Sequence, residues 1–85
     1  MRYDYLVTFR SVTYAQRGQQ YLQKLGISCH LRRTPRELTS RGCGYCLRLR
    51  RQNILTVERL LREQAIPFER IYTIDENGKM EDVIL

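Results

Sequence analysis

The sequence contains no apolar run that approaches the length of a membrane-spanning helix. Its beginning also lacks the features of a signal peptide, because Met1 to Tyr5 includes the acid Asp4 and leads into no long apolar stretch. We therefore expect a soluble, cytoplasmic protein without a membrane partner. With 85 residues and no linker, repeat or low-complexity segment, the chain is predicted to form a single domain over residues 1–85 with one modest core.

The usual signatures of enzymes are missing as well. The sequence has no glycine loop that could cradle a phosphate, no paired-carboxylate pattern and no cofactor fingerprint. Its single histidine, His30, falls on a predicted strand, and the sequence does not place it against a cysteine as a catalytic dyad requires. These absences favour a carrier or binding protein over an enzyme, and no cofactor is expected.

Cysteine is scarce, and its pattern excludes two common roles. Three cysteines without a secretory signal indicate reduced thiols and not a disulfide framework. A zinc site needs four ligands, and the only candidates besides Cys43 and Cys46 are Cys29 and His30. Adjacent residues of a strand point to opposite faces, so at most three ligands could meet. We predict no metal site, and we place Cys29 in the core because it alternates with apolar residues.

Lysine is scarce too, so arginine supplies most of the formal net charge of +6. Residues 27–51 carry a net charge of +6, whereas residues 75–85 carry −3. Seven arginines lie in the 20 residues from Arg32 to Arg51, with both ends counted. Arginine favours bidentate binding of phosphates and carboxylates. The central stretch therefore predicts an anionic partner, which could be a small molecule, an acidic protein or a nucleic acid.

Hydrophobic periodicity and capping signals predict alternating strands and helices. Ser11 and Asn53 are predicted to cap the two helices, Gly26 to close the first, and Ala65 to belong to the apolar stripe of the second. The predicted elements are strands at residues 3–9, 27–33, 45–50, 68–75 and 80–85, and helices at residues 12–25 and 54–64. The order βαββαβ predicts a two-layer α+β sandwich of the ferredoxin-like kind, with both helices on one face and a short C-terminal hairpin strand after Asn77-Gly78. In the first helix, Tyr14 and Tyr21 are predicted to lie in the core and Gly18 to pack closely on the sheet.

The segment from Thr34 to Arg51 concentrates the chemistry. Thr34-Pro35-Arg36-Glu37 matches a capping box, which predicts a short helical turn over residues 35–39. Gly42 and Gly44 flank Cys43, so this thiol is expected on a sharp bend that is partly open to solvent. Positive charge lowers the pKa of a thiol and makes it more nucleophilic. With Arg36 and Arg41 nearby, Cys43 is the candidate reactive thiol.

Cys43 and Cys46 also form a C-x-x-C pair, which leaves a dithiol switch open. The motif leads into a strand, and three extended steps would separate the two Cα atoms by roughly 10 Å, beyond the roughly 7 Å limit for a disulfide. The pair could close only if Gly44 turns the chain. On the strand itself, Cys46 is expected to share a face with Arg48 and Arg50.

The run Pro35-Arg36-Glu37-Leu38, followed by Ser40 and Cys43-Gly44, resembles the signature of a small bacterial family of uncharacterised selenium/sulfur (Se/S) carrier-like proteins. The similarity covers most of the chain. It implies that Cys43 carries a chalcogen and that the partners are sulfur or selenium donor and acceptor proteins. Cys46 departs from the family pattern and is interpreted as a resolving thiol; Gly18 departs from it as well.

Two other functions are compatible with the same residues. The predicted outward face could bind an anion or a nucleic acid, with Arg32, Arg48 and Arg50 on the strands and Arg36 and Arg41 in the loop. Nucleic acid is the weaker alternative, because that face carries no aromatic side chain on which a base could stack. The face could also join two copies in a homodimer, with the acidic C-terminal residues of one copy neutralising the arginines of the other.

Overall fold

The computed structural model describes residues 4–35, 38, 44–50, 54–75 and 77–83, with the backbone alone at residue 50. They form an α+β fold with two helices, as predicted, and their sheet has five antiparallel strands. The elements are β1 (Asp4–Phe9), α1 (Val12–Lys24), β2 (Cys29–Arg33), β3 (Tyr45–Arg50), α2 (Ile54–Glu63), β4 (Ile71–Ile74) and β5 (Met80–Asp82). The strand order across the sheet is β2-β3-β1-β4-β5, so β2 and β5 are the edge strands.

Local signals at both ends define α1. The hydroxyl of Ser11 accepts from the Tyr14 backbone N–H at 3.3 Å, which satisfies one of the free donors of the first turn. Gly26 follows the helix with φ = 81°, a conformation that glycine adopts without steric cost. The predicted core position of Tyr14 is wrong. Its ring is 38 % exposed, because Ala15, Gly18 and Leu22 already fill the buried stripe.

The second helix, α2, buries Ile54, Val57 and Leu61 on one side. Its predicted apolar stripe also included Ala65, but the structure places that residue in an exposed turn with φ = 53°. An alanine thus ends this helix in the left-handed conformation that glycine favours. The predicted cap Asn53 lies outside the described residues.

The helices cover one face of the sheet, and the core lies between the two layers. From the strands, the core takes Val7, Phe9, Cys29, Leu47, Leu49 and Ile71; from the helices, it takes Ala15, Leu22, Ile54, Val57 and Leu61. A Cβ at Gly18 would lie 3.3 Å from side-chain atoms of both Leu47 and Phe9. The prediction of a close approach at Gly18 is confirmed, and it brings α1 down onto β1 and β3.

Strand β4 begins later than the predicted start at residue 68, and the cause is a β-bulge opposite Thr8. The Thr8 N–H donates to the Arg70 carbonyl at 2.8 Å, while the Thr8 carbonyl accepts from the Glu69 N–H at 2.7 Å. The Arg70 N–H is diverted to the Thr8 hydroxyl at 3.0 Å. Glu69 and Arg70 therefore both lie opposite Thr8, and regular pairing of β4 with β1 begins only at Ile71.

The predicted hairpin after β4 is confirmed. Gly78 has φ = 81°, and the Asp75 carboxylate accepts from the backbone N–H groups of Asn77 and Lys79, each at 2.9 Å. The returning strand β5 is shorter than the predicted residues 80–85, of which 84–85 lie outside the described residues. The hydrogen bond from Leu38 N–H to the Pro35 carbonyl at 3.0 Å is consistent with the predicted turn, whose Arg36, Glu37 and Thr39 lie outside the described residues.

Candidate functional site

The sheet face opposite the helices carries the polar side chains of β2 and β3. These strands pair antiparallel, with Arg32 opposite Cys46 and His30 opposite Arg48. The side chains of His30 and Arg32 are exposed. Leu6, Thr8 and Cys46 lie on this same face and are nevertheless buried, at 3 %, 5 % and 0 % exposure. The face is therefore divided into a buried centre and an exposed basic side.

Arg48 is held by an acid of the neighbouring strand. Its Nε and Nη2 atoms donate to the same Asp4 carboxylate oxygen at 2.9 and 2.7 Å. Charge-assisted hydrogen bonds of this length fix the direction of a guanidinium. Arg48 was predicted to bind an anion, and in the structure it already has the Asp4 carboxylate as its partner. An incoming anion would have to compete with Asp4.

The thiol of Cys46 lies in the buried centre of this face. Its Sγ atom lies 3.9 Å from the Arg33 carbonyl, a weak thiol hydrogen bond. Burial raises the pKa of the Cys46 thiol above its ordinary value; the Thr34 hydroxyl and the charges of Arg32 and Arg48 act in the opposite direction without overcoming it. Cys46 is therefore protonated and shielded at neutral pH, which slows its reaction with other sulfur atoms.

Thr34 and Gly44 close the base of the segment that contains Cys43. The Thr34 N–H donates to the Gly44 carbonyl at 3.1 Å, which extends the β2–β3 pairing by one step. A Cβ at Gly44 would lie 3.3 Å from the Thr34 hydroxyl, so a residue without a side chain fits this approach. We call this pair the neck. In the sequence, Cys43 directly precedes Gly44 of the neck.

The hydroxyl oxygen of Thr34 is buried at the neck and has no hydrogen-bond partner of good geometry among the described residues. It is therefore a neighbour of the Cys46 thiol and not its bonded partner. A buried polar atom without a partner is uncommon and costs free energy. The role predicted for Thr34, the cap of a turn that includes Glu37, lies outside the described residues.

Cys29 belongs to the core, as predicted. It is 1 % exposed, its Sγ atom lies 3.8 Å from the Gln19 carbonyl, and burial raises the pKa of its thiol. Cys29 and Cys46 lie on opposite faces of the sheet, in keeping with the pairing of Cys29 with Leu49 and of Cys46 with Arg32. Neither thiol is exposed, so neither is available to a large donor in this conformation.

Several predicted site residues lie outside the described residues, namely Arg36, Arg41 and Cys43, and only the backbone of Arg50 is described. The structure places Arg32, Cys46 and Arg48 side by side on two neighbouring strands. In the described ranges, no three His, Cys, Asp or Glu side chains gather closely enough to bind a metal ion. No helix within those ranges has the length and apolar character needed to cross a membrane.

Sequence reasoning missed Asp4 as a member of this face. One signal was available, because Asp4 is an acid in an otherwise apolar strand and alternation places it with Leu6 and Thr8. Its partner could not be identified, since Arg48 lies 44 residues away and the sequence does not specify which strands are neighbours. The importance of Thr34 at the neck was missed for the same reason.

Comparison with known proteins adds one finding. The profile of a family described as "Putative Se/S carrier protein-like" matches residues 4–73. The chain belongs to this family. The match runs from the start of β1 into β4 and includes the neck and the whole segment between β2 and β3. No curated protein and no solved structure matches this Se/S carrier-like chain.

Proposed function

We propose that this protein carries sulfur or selenium as a persulfide or perselenide on Cys43. One observation supports the choice of thiol. Burial encloses both Cys29 and Cys46 and raises the pKa of each, which disfavours the thiolate that the chemistry needs. Cys43 is the third cysteine, and in the sequence it directly precedes Gly44 of the neck. Membership of the Se/S carrier-like family supports the kind of cargo.

The loading step is a thiol exchange. The Cys43 thiolate attacks the outer sulfur of a persulfide on a donor protein, the sulfur–sulfur bond of the donor breaks, and the donor thiolate leaves. A new sulfur–sulfur bond forms on Cys43, with no net oxidation or reduction. Transfer to an acceptor repeats the exchange in the opposite direction. Arg36 and Arg41 are proposed to favour the thiolate of Cys43 through their positive charge.

Cys46 is proposed as a resolving thiol only when it becomes accessible. Its attack on the inner sulfur of a Cys43 persulfide would form a Cys43–Cys46 disulfide and release hydrogen sulfide, which balances the atoms. Its burial and raised pKa make this a slow step, so the persulfide would have time to reach an acceptor. The disulfide would then be a product of long storage and not an intermediate of each cycle.

We further propose the ferredoxin-like sandwich as the fold type and the cytoplasm as the location. The strand order β2-β3-β1-β4, together with the βαββαβ chain order, supports the fold. The proposal of a cytoplasmic location is supported by the three cysteines, which are expected to be reduced thiols. The partners proposed are a protein that donates sulfur or selenium and one that accepts it.

Intact-mass spectrometry after treatment with a small-molecule persulfide tests the carrier function. We expect the wild-type protein to gain the mass of one sulfur atom, which dithiothreitol removes, and Cys43→Ala to gain none. The matched controls are Cys29→Ala and Cys46→Ala, which should load like the wild type because both thiols are buried. Loading that persists in Cys43→Ala, or that is lost in Cys46→Ala alone, would contradict the proposal.

A second candidate function is the binding of a small anion or a nucleic acid by the exposed basic side. It is favoured by one observation, namely that Arg32 is exposed and makes no ion pair with any other described residue. Binding of this kind should weaken steeply as salt rises and should be unaffected by Cys43→Ala. Retention of oligonucleotide at low salt by both the wild type and Cys43→Ala would support this alternative.

A further inference from the structure

Strand β2 forms one edge of the sheet, and its hydrogen-bond pattern shows which backbone groups face outward. Because Thr34 donates to the directly opposite Gly44, this pair is of the hydrogen-bonded kind. Pairs alternate along an antiparallel ladder, so Arg32 and His30 point their backbone groups at β3. Cys29, Leu31 and Arg33 therefore direct their N–H and C=O groups away from the sheet.

Two of these outward carbonyl groups are already engaged. The Cys29 carbonyl accepts from Gln23 Nε2 at 3.4 Å, and the Arg33 carbonyl lies 3.9 Å from Cys46 Sγ. The N–H and C=O of Leu31 and the N–H of Arg33 have no hydrogen-bond partner among the described residues. These three groups are spaced as in a β-ladder, so one further strand could form hydrogen bonds with them at this edge.

The side chains along this edge are basic. His30, Arg32 and Arg33 are exposed, and neither arginine makes an ion pair with any other described residue. The opposite edge strand, β5, differs in this respect, because its acids Glu81 and Asp82 are paired with Lys79 and Arg70. The β2 edge therefore presents unpaired positive charge together with free backbone groups, and an acidic extended segment complements both.

The position of β2 links this edge to the proposed carrier site. The strand runs directly into Thr34 and the neck, so a segment bound along it would end beside the chain that carries Cys43. Arg33, the last residue of β2, directly precedes Thr34 of the neck, and Cys43 directly precedes Gly44, the other residue of the neck. A donor or acceptor held in this way could align its own sulfur with Cys43.

We propose that the β2 edge binds, by strand addition, an extended acidic segment of the protein that donates or accepts the chalcogen. The role of that protein as donor or acceptor rests on the proposed function; the strand addition does not. In the complex, one residue of the segment exchanges two hydrogen bonds with Leu31, and the residue two positions along accepts from the Arg33 N–H. Acidic side chains on the two faces of the added strand contact Arg32 and Arg33.

The test uses a fluorescent synthetic peptide in which pairs of glutamates alternate with pairs of valines, so that both faces of the added strand carry acids, and the protein is the Cys43→Ala variant. We expect binding, and slower hydrogen exchange at the Leu31 and Arg33 amides than in the free protein. The same peptide with N-methyl groups on the positions that face β2 should not bind, whereas N-methyl groups on the other positions should be tolerated. A lysine peptide of the same design should not bind.

Charge-reversal variants provide the matched comparison. Arg32→Glu with Arg33→Glu should weaken binding of the glutamate peptide by at least about tenfold, because like charges then face each other. The control Arg17→Glu with Lys24→Glu makes the same change in net charge on exposed positions of α1 and should leave binding unchanged. Sedimentation of the free protein detects the alternative occupant, a second copy paired through β5.

Three outcomes would overturn the proposal: no binding of the glutamate peptide at low salt, equal weakening by both double variants, or protection of Leu31 that requires self-association. Since the variant assayed has no Cys43, these results do not depend on chalcogen loading. Failure of the carrier proposal would instead be seen as sulfur retained by Cys43→Ala in the mass measurement. The two failures are therefore distinguishable.

Discussion

The two faces of the sheet use the same strands for different purposes. Toward the helices, neighbouring strands contribute Val7, Phe9, Leu47 and Leu49, all of them fully buried and apolar. Away from the helices, the next residues along the same strands are Thr8, Cys46 and Arg48, and the partner of Arg48 is Asp4. One face therefore supplies the hydrophobic stability, and the other collects polar groups close to the neck.

The difference shows how a chain of this size can place polar side chains around Cys46 without giving up its core. Alternation in a strand sends every second residue to the opposite face, so six residues of β3 serve both needs. The polar face also has a buried centre, in which the Thr8 hydroxyl is hydrogen-bonded to the Arg70 backbone, and next to it the partly exposed Asp4 is paired with Arg48. The Thr8 side chain can be buried there because its hydroxyl has a hydrogen-bond partner.

The largest effect is expected from the helix-covered face. Leu47→Ala should lower the free energy of unfolding by about 2–5 kcal/mol, because it leaves a cavity beneath Gly18 in a fully buried site. Leu25→Ala is the matched control, since the Leu25 side chain is 50 % exposed, and it should change stability by about 0.5 kcal/mol or less. Urea denaturation measures both. If Leu47→Ala and Leu25→Ala lost similar amounts of stability, the helix-covered face would not be the main source of hydrophobic stability.

A smaller effect is expected on the polar face. Asp4→Asn should cost about 0.2–1 kcal/mol, because the ion pair with Arg48 is partly exposed and solvent screens it. The loss should shrink as salt rises. The substitution also releases Arg48, so sulfate titration followed by NMR should show tighter binding near Arg48 than in the wild type. Unchanged sulfate binding would mean that Asp4 does not limit access to this arginine.

The smallest effect on stability is expected from ionisation of the two buried thiols. It is negligible at neutral pH and grows in alkaline solution. Burial raises the pKa of Cys29 and Cys46 in the folded protein. Above about pH 8.5 the unfolded chain begins to lose its thiol protons while the folded chain retains them, so rising pH favours unfolding. The contribution of the two buried thiols to the free energy of unfolding is complete below that pH. It is lost as the pH rises through the pKa that these thiols have in the folded protein.

Denaturation curves measured from pH 7 to pH 10 check this expectation. For each protein, the free energy of unfolding is expressed relative to its own value at pH 7. On this scale, stability should decline less with pH in the double variant Cys29→Ala with Cys46→Ala than in the wild type. An equal decline in the wild type and the double variant would mean that titrating groups other than these two thiols cause the loss of stability. Alkylation by iodoacetamide at pH 7 gives an independent comparison, because both buried thiols should react more slowly than they do in urea.

Local patterns predicted most of the elements because they depend on neighbours in the sequence. Alternation located β3 at residues 45–50, and Ser11 and Gly26 marked the two ends of α1. The late start of β4 could not be predicted, since it depends on the Thr8 hydroxyl, which lies 62 residues from Arg70. Periodicity also misplaced Tyr14, because α1 needs a narrower buried stripe where Gly18 approaches the sheet.

The candidate site was predictable in its residue types and less so in its electrostatics. The sequence indicated that Cys46, Arg48 and Arg32 would share a face if β2 and β3 were neighbours, and the pairing confirms it. It did not indicate that Cys46 would be fully buried or that Arg48 would bind Asp4. Burial depends on how strands are ordered and covered, and local periodicity carries no information on either.

The neck also bears on how proteins of this kind can diverge. Because Thr34 and Gly44 are joined by a backbone hydrogen bond, β2 and β3 are paired up to the base of residues 35–43. Lengthening a loop closed in this way is inexpensive, at about 0.6 kcal/mol for each doubling of its length. Substitutions and insertions in residues 35–43 could therefore accumulate with little loss of stability. The sheet and residues 35–43 are in effect separate targets of selection, and residues 35–43 of one protein could be grafted onto another.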